Sequence, residues 1–288
     1  MAIQSINGII NAISAGKKVR TDWNKIFGGS AATAGRSYDF SGLAGFPVAN
    51  TLSGTALAFQ ECDDTTGWGL PHGGNVSTDI KHLLNLGGIT TASTGVPGTL
   101  LLVDVEGYWP GITNNSAVAQ TLTGTPVLRA TNGNGLRLFW SQTAVAGATA
   151  QNISLSYTDQ SGNTGNALGA ATVAMTASAI VSHISHAGTA ANNYGPFLPL
   201  AAGDSGVRNV ASVTFSAANT GTGALVLCKP LIELPLGIQS VYHNKDCLSQ
   251  IPSLPVISDG ACLSWIFVAG GAVAANTTFM GHTEYVWG

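Results

Sequence analysis

Hydrophobic and polar residues alternate most clearly between residues 97 and 110, in the segment PGTLLLVDVEGYWP. Every second residue from Leu101 to Val105 is apolar and shares one face, while Asp104 and Glu106 lie on the other, which predicts a central strand. Beyond it, short apolar segments separated by Gly, Asn, Thr and Ser predict strands near 118–128, 135–142, 152–158, 207–217, 223–234, 261–269 and 277–287. The predicted fold class is mainly β, with a β-sandwich or jelly-roll-like body whose sandwich spans 99–288.

Apolar residues at helical spacing are less common along the chain. Residues 37–98 are expected to be irregular, with one short helix. Ser77 or Thr78 can cap that helix, which Gly87 would end, and we place it at 77–86. Residues 241–250 are a second helical candidate. Residues 170–187 fit a helix and a strand equally well.

The first 36 residues form a separate unit, an amphipathic arm followed by a glycine-rich linker over Gly28–Gly35. Isoleucines recur at helical spacing, and KKVRTDWNKIF continues the stripe with cations between the apolar residues. The arm either packs on the body or docks on another protein, with aromatic anchors and cations that face an acidic rim. The predicted partner-binding residues are Ile6, Ile10, Ile13, Lys17, Lys18, Arg20, Trp23, Lys25 and Phe27.

The low content of charged residues predicts that much of the protein surface is covered by other subunits. Only 9% of the 288 residues are charged, while 45% are hydrophobic, and a free soluble monomer normally carries a more charged surface. The net charge of −3 hides an asymmetry: residues 1–36 hold five basic side chains and one acidic, and the remainder holds six basic and thirteen acidic. A basic segment therefore precedes a mildly acidic body.

The four cysteines, Cys62, Cys228, Cys247 and Cys262, are too scattered for a metal motif, and free thiols are expected, with a Cys247–Cys262 disulfide as the alternative. No secretory signal is visible. The longest apolar run, at 261–275, is shorter than the roughly 20 residues of a membrane span. We therefore expect synthesis in the cytosol and no membrane partner.

No catalytic, cofactor or metal motif is complete. Gly203-Asp204-Ser205-Gly206 resembles the nucleophile loop of chymotrypsin-like proteases, but Val207 replaces the next glycine and the histidine context is missing. A calcium site at Asp104 and Glu106, or at Glu61, Asp63 and Asp64 near His72, is less well supported than solvated strand-face and loop carboxylates. A zinc site at His183 and His186 is less well supported than polar residues near a subunit contact. Nucleotide binding and sequence-specific nucleic-acid binding have no support.

The opening AIQSINGIINAISAGKKVRTDWNKIF, the sparse charge and the ending CLSWIFVAGGAVAANTTFMGHTEYVWG resemble structural proteins of tailed-bacteriophage particles. The closest similarity is to head proteins that decorate or cement the capsid. The resemblance implies a non-enzymatic virion protein, assembled in the host cytoplasm, that contacts the major capsid protein or other virion proteins. It also implies a homo-oligomer, with a trimer favoured.

Three alternatives stay open. Two belong to the same particle: the major capsid protein, which should carry a long spine helix, and a tail or fibre component, which should carry long repeats. The third is a carbohydrate-binding module or an enzyme, which needs an aromatic platform or a carboxylate pair.

Overall fold

The computed structural model describes residues 3, 5–28, 34–91, 96–187, 195–251 and 253–288. Two helices lie within these residues, α1 (Ile6–Ser14) and α2 (Cys247–Gln250), with a 3-10 turn at Thr131–Gly133. The strands are β1 (Lys18–Ile26), β2 (Ser37–Asp39), β3 (Ala44–Phe46), β4 (Gln60–Glu61), β5 (Lys81–Thr90), β6 (Gly98–Thr113), β7 (Gln120–Thr121), β8 (Arg137–Ala144), β9 (Gln151–Asp159), β10 (Val173–Met175), β11 (Val207–Phe215), β12 (Thr222–Leu236), β13 (His243–Asp246), β14 (Val256–Ile257), β15 (Leu263–Ala269) and β16 (Thr278–Trp287).

These strands form three antiparallel sheets. Sheet I has the order β13-β5-β16-β1-β3, with β14 also paired to β5. Sheet II has the order β2-β15-β6-β12-β8, with β4 also paired to β6, and sheet III has the order β10-β9-β11-β7. The prediction of a mainly β chain with a β-sandwich-like body is confirmed, and the predicted central strand is β6.

Sheet II joins the two halves of the body. Its long strands β6 and β12 pair from one end to the other, with register shifts that include one between Leu227 and Cys228. Leu100 and Leu102 belong to the core shared with sheet I, whereas Trp109 belongs to the core shared with sheet III. The strands are therefore long because each serves two sandwiches in succession.

Aromatic side chains fill both cores. In the first, Phe267 packs against Phe40 and Phe279, with ring centroids 5.8 and 4.7 Å apart. In the second, Trp140 meets Phe215 edge to face at 5.2 Å. A third apolar cluster covers the other face of sheet II, where Leu101, Val103 and Val105 meet residues of the long connections. Both faces of sheet II are thus buried.

The prediction of a helix at 77–86 is wrong, because residues 81–90 form the strand β5. The register with β16 shifts between Leu83 and Asn85, so that Leu83 and Leu86 both enter the first core. A bulge thus gives this strand the three-residue apolar spacing that a helix also produces.

The two other segments with helical candidates, 170–187 and 241–250, differ in outcome: the first contains no helix, and the second contains one helical turn. Within 170–187 the structure has only the short strand β10 and irregular chain, which settles the ambiguity in favour of a strand over Val173–Met175. Within 241–250 the chain forms β13 and then the single-turn helix α2, which begins after Asp246, whose carboxylate accepts from the Leu248 N–H at 2.9 Å. None of the described helices is long and apolar enough to cross a membrane.

Candidate functional site

The predicted N-terminal arm begins with an amphipathic helix that lies on sheet I. Ser5 caps α1 by accepting a backbone N–H of the first turn. Ile9 and Ala12 face inward and pack with Leu84 of β5 and Val286 of β16. One side of the helix is therefore fixed to the body, as the first of the two sequence-based interpretations requires.

Next to this buried face, α1 exposes a stripe of apolar side chains, while Asn7, Asn11 and Ser14 occupy the opposite, polar side. Ile6, Ile10 and Ile13 are 69%, 54% and 42% exposed, and the helix carries no charged side chain. These three isoleucines are the predicted partner-binding residues that the structure leaves free to contact another protein.

Residues 18–26 are not part of an arm, which corrects the prediction. β1 pairs with β16 along its whole length and with β3 on its other side, so it is an internal strand of sheet I. Its inward face includes the polar Thr21 and Lys25 on either side of Trp23. These polar residues interrupt the period-two apolar pattern of a strand, and for this reason the sequence predicts a helix in this segment. Of the predicted linker, residues 29–33 lie outside the described residues.

The two predicted aromatic anchors belong to the protein's own core. Trp23 is 3% exposed and packs on Trp265 with ring centroids 5.0 Å apart, and Phe27 is 2% exposed and meets Tyr38 edge to face at 4.9 Å. Neither ring is available to another protein, so their assignment as docking anchors is wrong.

The cations that were predicted to face an acidic rim are largely neutralised within the chain. Three of its cations form ion pairs, Lys17 with Asp79 at 2.6 Å, Lys18 with Glu284 at 3.0 Å and Arg20 with Asp22 at 2.8 Å. Lys25 is buried, and its ammonium donates to the carbonyls of Leu43 and Pro47 at 3.1 and 2.7 Å. Burial lowers the pKa of Lys25 to about 8. The charge asymmetry of the sequence therefore does not form a free cationic surface here.

The carboxylates of the central strand are buried rather than solvated. Arg129 Nη2 donates to Asp104 Oδ1 at 2.7 Å, and the backbone N–H groups of Arg129 and Ala130 donate to the Glu106 carboxylate at 2.8 and 3.0 Å. Burial raises the pKa of Glu106, against the opposing effect of Arg129. The two carboxylates hold the β7–β8 connection against β6 through these hydrogen bonds. Their partners are therefore groups of the protein, and not the calcium ion that was considered from the sequence.

The acidic loop near His72 differs from β6, because its Glu61 and Asp64 are exposed to solvent. Asp63 accepts from the N–H and hydroxyl of Thr65 in a turn. His72 accepts at Nδ1 from the fully buried Lys81, at 2.9 Å, and its Nε2 lies 2.9 Å from the Ala261 carbonyl. This arrangement assigns a neutral imidazole with its proton on Nε2.

His183 and His186 belong to the irregular segment that follows β10, and both are buried. Each Nε2 has no hydrogen-bond partner, and burial lowers the pKa of each imidazole to about 3. Among the described residues, no group of three or more His, Cys, Asp or Glu side chains is placed to hold a metal ion.

The protease-like loop makes ordinary turn contacts. The Ser205 hydroxyl donates to the Asn134 side chain at 3.4 Å, and Asp204 accepts from the Tyr157 hydroxyl. Neither contact supplies the general base that a serine nucleophile needs.

All four cysteines are buried free thiols. The Cys62 and Cys262 thiols are neighbours, and this contact, followed by burial, raises the pKa of Cys62. Burial also raises the pKa of Cys247, to about 12. The thiolate fractions of Cys62 and Cys247 are therefore small at neutral pH.

A cleft of about 480 Å³ crosses the outer face of sheet I. Its lining includes Arg20, Asp22 and Asn24 of β1, Met280 of β16, Phe46 of β3, and Tyr242, which precedes β13. Phe46 and Tyr242 are 49% and 47% exposed. The cleft therefore combines a row of polar side chains with two solvent-facing aromatic rings.

Arg20 and Trp23, which also lines this cleft, are among the residues that the sequence predicts, whereas Phe46 and Tyr242 are not. Phe46 lies in a Gly/Pro-rich stretch and Tyr242 in a turn, and neither belongs to a recognisable motif. They come close because Tyr242 reaches inward from the β13 end of sheet I, over Gly87 of β5 to His282 of β16, while β3 is the other end of the strand order. No local pattern encodes that order.

Comparison with known proteins identified no family model and no curated relative that matches the chain. A search of solved structures returned the VP2 subviral particle of infectious bursal disease virus, at 11% identity and a TM-score of 0.20, covering 93% of this chain and 80% of that one. A mutant VP2 in derived T=1 particles gave 10% identity and a TM-score of 0.15, covering 93% and 77%. At these scores we transfer neither fold nor function from VP2.

Proposed function

We propose that this chain is a non-enzymatic structural protein of a phage particle, which decorates or cements the capsid shell through contacts between subunits. The observation that supports this proposal is the character of the surface. Apolar side chains are exposed on α1, while many of the chain's few charges are buried or paired internally.

The charge distribution explains why such a surface should be covered. The chain has eleven basic and fourteen acidic side chains, and Lys25, Lys81, Asp39, Asp104 and Glu106 are among those in the interior. A monomer would be left with wide uncharged areas, which soluble monomers avoid. Contact with other subunits solves this problem.

The proposed partners are copies of this chain in an oligomer of closed symmetry, and the major capsid protein or another virion protein. A trimer is favoured by the resemblance to capsid decoration proteins, which often occupy local three-fold positions. The proposed location is the virion, with assembly in the host cytoplasm. A major capsid protein, or a tail or fibre component of the same particle, is the alternative within this class.

Self-association tests the proposal directly. Light scattering on the purified protein at micromolar concentration should give a stable oligomer, with the mass of a trimer. Ile10→Asp places a charge on the exposed face of α1 and should weaken this association at least ten-fold without changing the melting temperature. Val127→Asp is the matched control, because Val127 is an exposed valine in the β7–β8 connection, and it should leave the oligomer intact.

Assembly into a particle needs a second measurement. Electron microscopy of the native source material, with antibodies against this chain, should show it in a regular lattice. A stable monomer in light scattering together with no labelled particles would contradict the proposal.

A further inference from the structure

We propose that the cleft on the outer face of sheet I binds a neutral oligosaccharide, held between the rings of Phe46 and Tyr242. This inference goes beyond the proposed structural role and does not depend on it. It rests on where the protein exposes aromatic rings, on the polar row between them and on the way Tyr242 is held.

The exposed aromatic rings point to a ligand at this place. Of the aromatic side chains in the described part of the chain, Phe46 and Tyr242 are the two that rank among the exposed large hydrophobic residues, and both line this cleft. Most of the others are packed into cores. Burying an aromatic ring is strongly favourable, and a ring left in water at a concave surface is typical of a binding site.

The polar row determines the charge of the ligand. Arg20 donates through Nε and Nη2 to Asp22 Oδ1, at 2.9 and 2.8 Å, so the two charges neutralise each other. Their remaining donors and acceptors stay at the surface of the cleft. A phosphate or carboxylate bound at Arg20 would lie beside the negative charge of Asp22, which opposes its binding, whereas an uncharged ligand can bond to both side chains.

A sugar ring has the chemistry that this arrangement needs. Its C–H face packs on an aromatic ring or on the thioether of Met280, and the hydroxyls on its rim donate to Asp22 and accept from Arg20. The volume of about 480 Å³ is within the range of small-molecule sites. A purely apolar ligand would leave the polar row without partners, which costs binding free energy.

Tyr242 is held in a defined orientation before any ligand arrives. Gly87 has no side chain, and a Cβ atom there would collide with the Tyr242 ring. The ring lies parallel to that of His282, with an interplanar angle of 2°, and its hydroxyl is hydrogen-bonded to His282 Nδ1. On the other side, the Phe46 N–H donates to Asn24 Oδ1 at 2.7 Å. Such preorganisation lowers the entropic cost of binding.

Isothermal titration and saturation-transfer NMR on the full chain test this inference, with maltohexaose, cellohexaose and chitohexaose as probes and a neutral-glycan array for breadth. We expect binding of at least one neutral glycan. Tyr242→Ala and Phe46→Ala should each weaken it at least ten-fold. Tyr242→Phe keeps the ring and should retain most of the affinity, and Val127→Ala is the surface control.

Affinities are compared only between variants that melt at the same temperature as the parent. If Tyr242→Ala does not fold, Phe46→Ala and Tyr242→Phe still test the roles of the two rings. Failure of every neutral glycan to bind would overturn the proposal. So would glycan binding that is insensitive to Phe46 and Tyr242. A change of oligomeric state in Tyr242→Ala without glycan binding would assign the cleft to a second copy of the chain instead.

Discussion

At the scale of single residues, several of the charged side chains of this protein are buried and connect neighbouring segments of the chain. Lys25 is held by two carbonyls, Lys81 by His72 and Asp259, and the carboxylates of β6 by one arginine. A charge buried in this way is tolerated only with a complete set of partners. This explains how so few charges remain for the surface.

Removal of Arg129 should therefore be costly. Arg129→Met would leave Asp104 and Glu106 buried without their cation, and breaking a buried pair on one side costs roughly 3 kcal/mol or more. Urea unfolding at pH 7 should show this loss. Arg20→Met, which breaks an exposed ion pair with Asp22, should unfold at the same urea concentration as the parent. Equal stabilities of the Arg129 variant and the parent would show that the contacts of Arg129 with Asp104 and Glu106 do not stabilise the fold.

At the scale of elements, the sequence predicts strands well where one face is uniformly apolar. β6, β9 and β15 lie close to the predicted positions. The errors occur where sheet I departs from simple alternation, through polar side chains on the inner face of β1 and a bulge in β5. Both departures depend on tertiary contacts, such as the carbonyls that bind Lys25, which no local pattern shows.

The same reasoning applies to the candidate sites. The exposed isoleucines of α1 could be predicted because their helical spacing is local. The cleft could not, because Phe46, Tyr242 and Met280 come from three distant segments that only the strand order of sheet I brings together.

Truncation separates the roles of α1 and β1. Deletion of residues 1–14 should leave a folded body with a modestly lower melting temperature, because it uncovers Leu84 and Val286. Deletion of residues 1–27 should abolish cooperative melting, because it removes the strand between β16 and β3 together with Trp23 and Phe27. Near-ultraviolet circular dichroism measures both. A cooperatively folded 28–288 fragment would restore the interpretation of residues 1–27 as a separable arm.

At the scale of the whole molecule, the connections matter as much as the sheets. The third core depends on loops that cover the outer face of sheet II, and His183 and His186 lie in one of them. His183 packs on Tyr38 with ring centroids 5.3 Å apart, and the Trp140 N–H lies 3.4 Å from His186 Nδ1. The loop thus contacts both β2 and β8, and its imidazoles are buried only while it stays in place.

This placement makes the stability of the protein sensitive to acid. The pKa of each of these imidazoles is about 3 in the folded protein, where burial is the first cause, and about 6.5 in the unfolded chain. Between these values the unfolded chain binds more protons, so the free energy of unfolding falls as the pH falls from 6.5 towards 3. Each imidazole contributes up to about 1.4 kcal/mol per pH unit. Burial raises the pKa of Asp39 and acts in the opposite sense.

Urea unfolding at pH 7 and pH 5 should therefore show a marked loss of stability at the lower pH. His186→Gln keeps an acceptor for the Trp140 N–H and removes the titrating group, so the difference between the two pH values should shrink by up to about 2 kcal/mol. Ile184→Val is the matched control: Ile184 is buried in the same segment, and its truncation should cost about 1 kcal/mol equally at both pH values. If His186→Gln kept the full pH dependence of the parent, the imidazole of His186 would not be held neutral in the folded protein, and its burial would not be a source of the acid sensitivity.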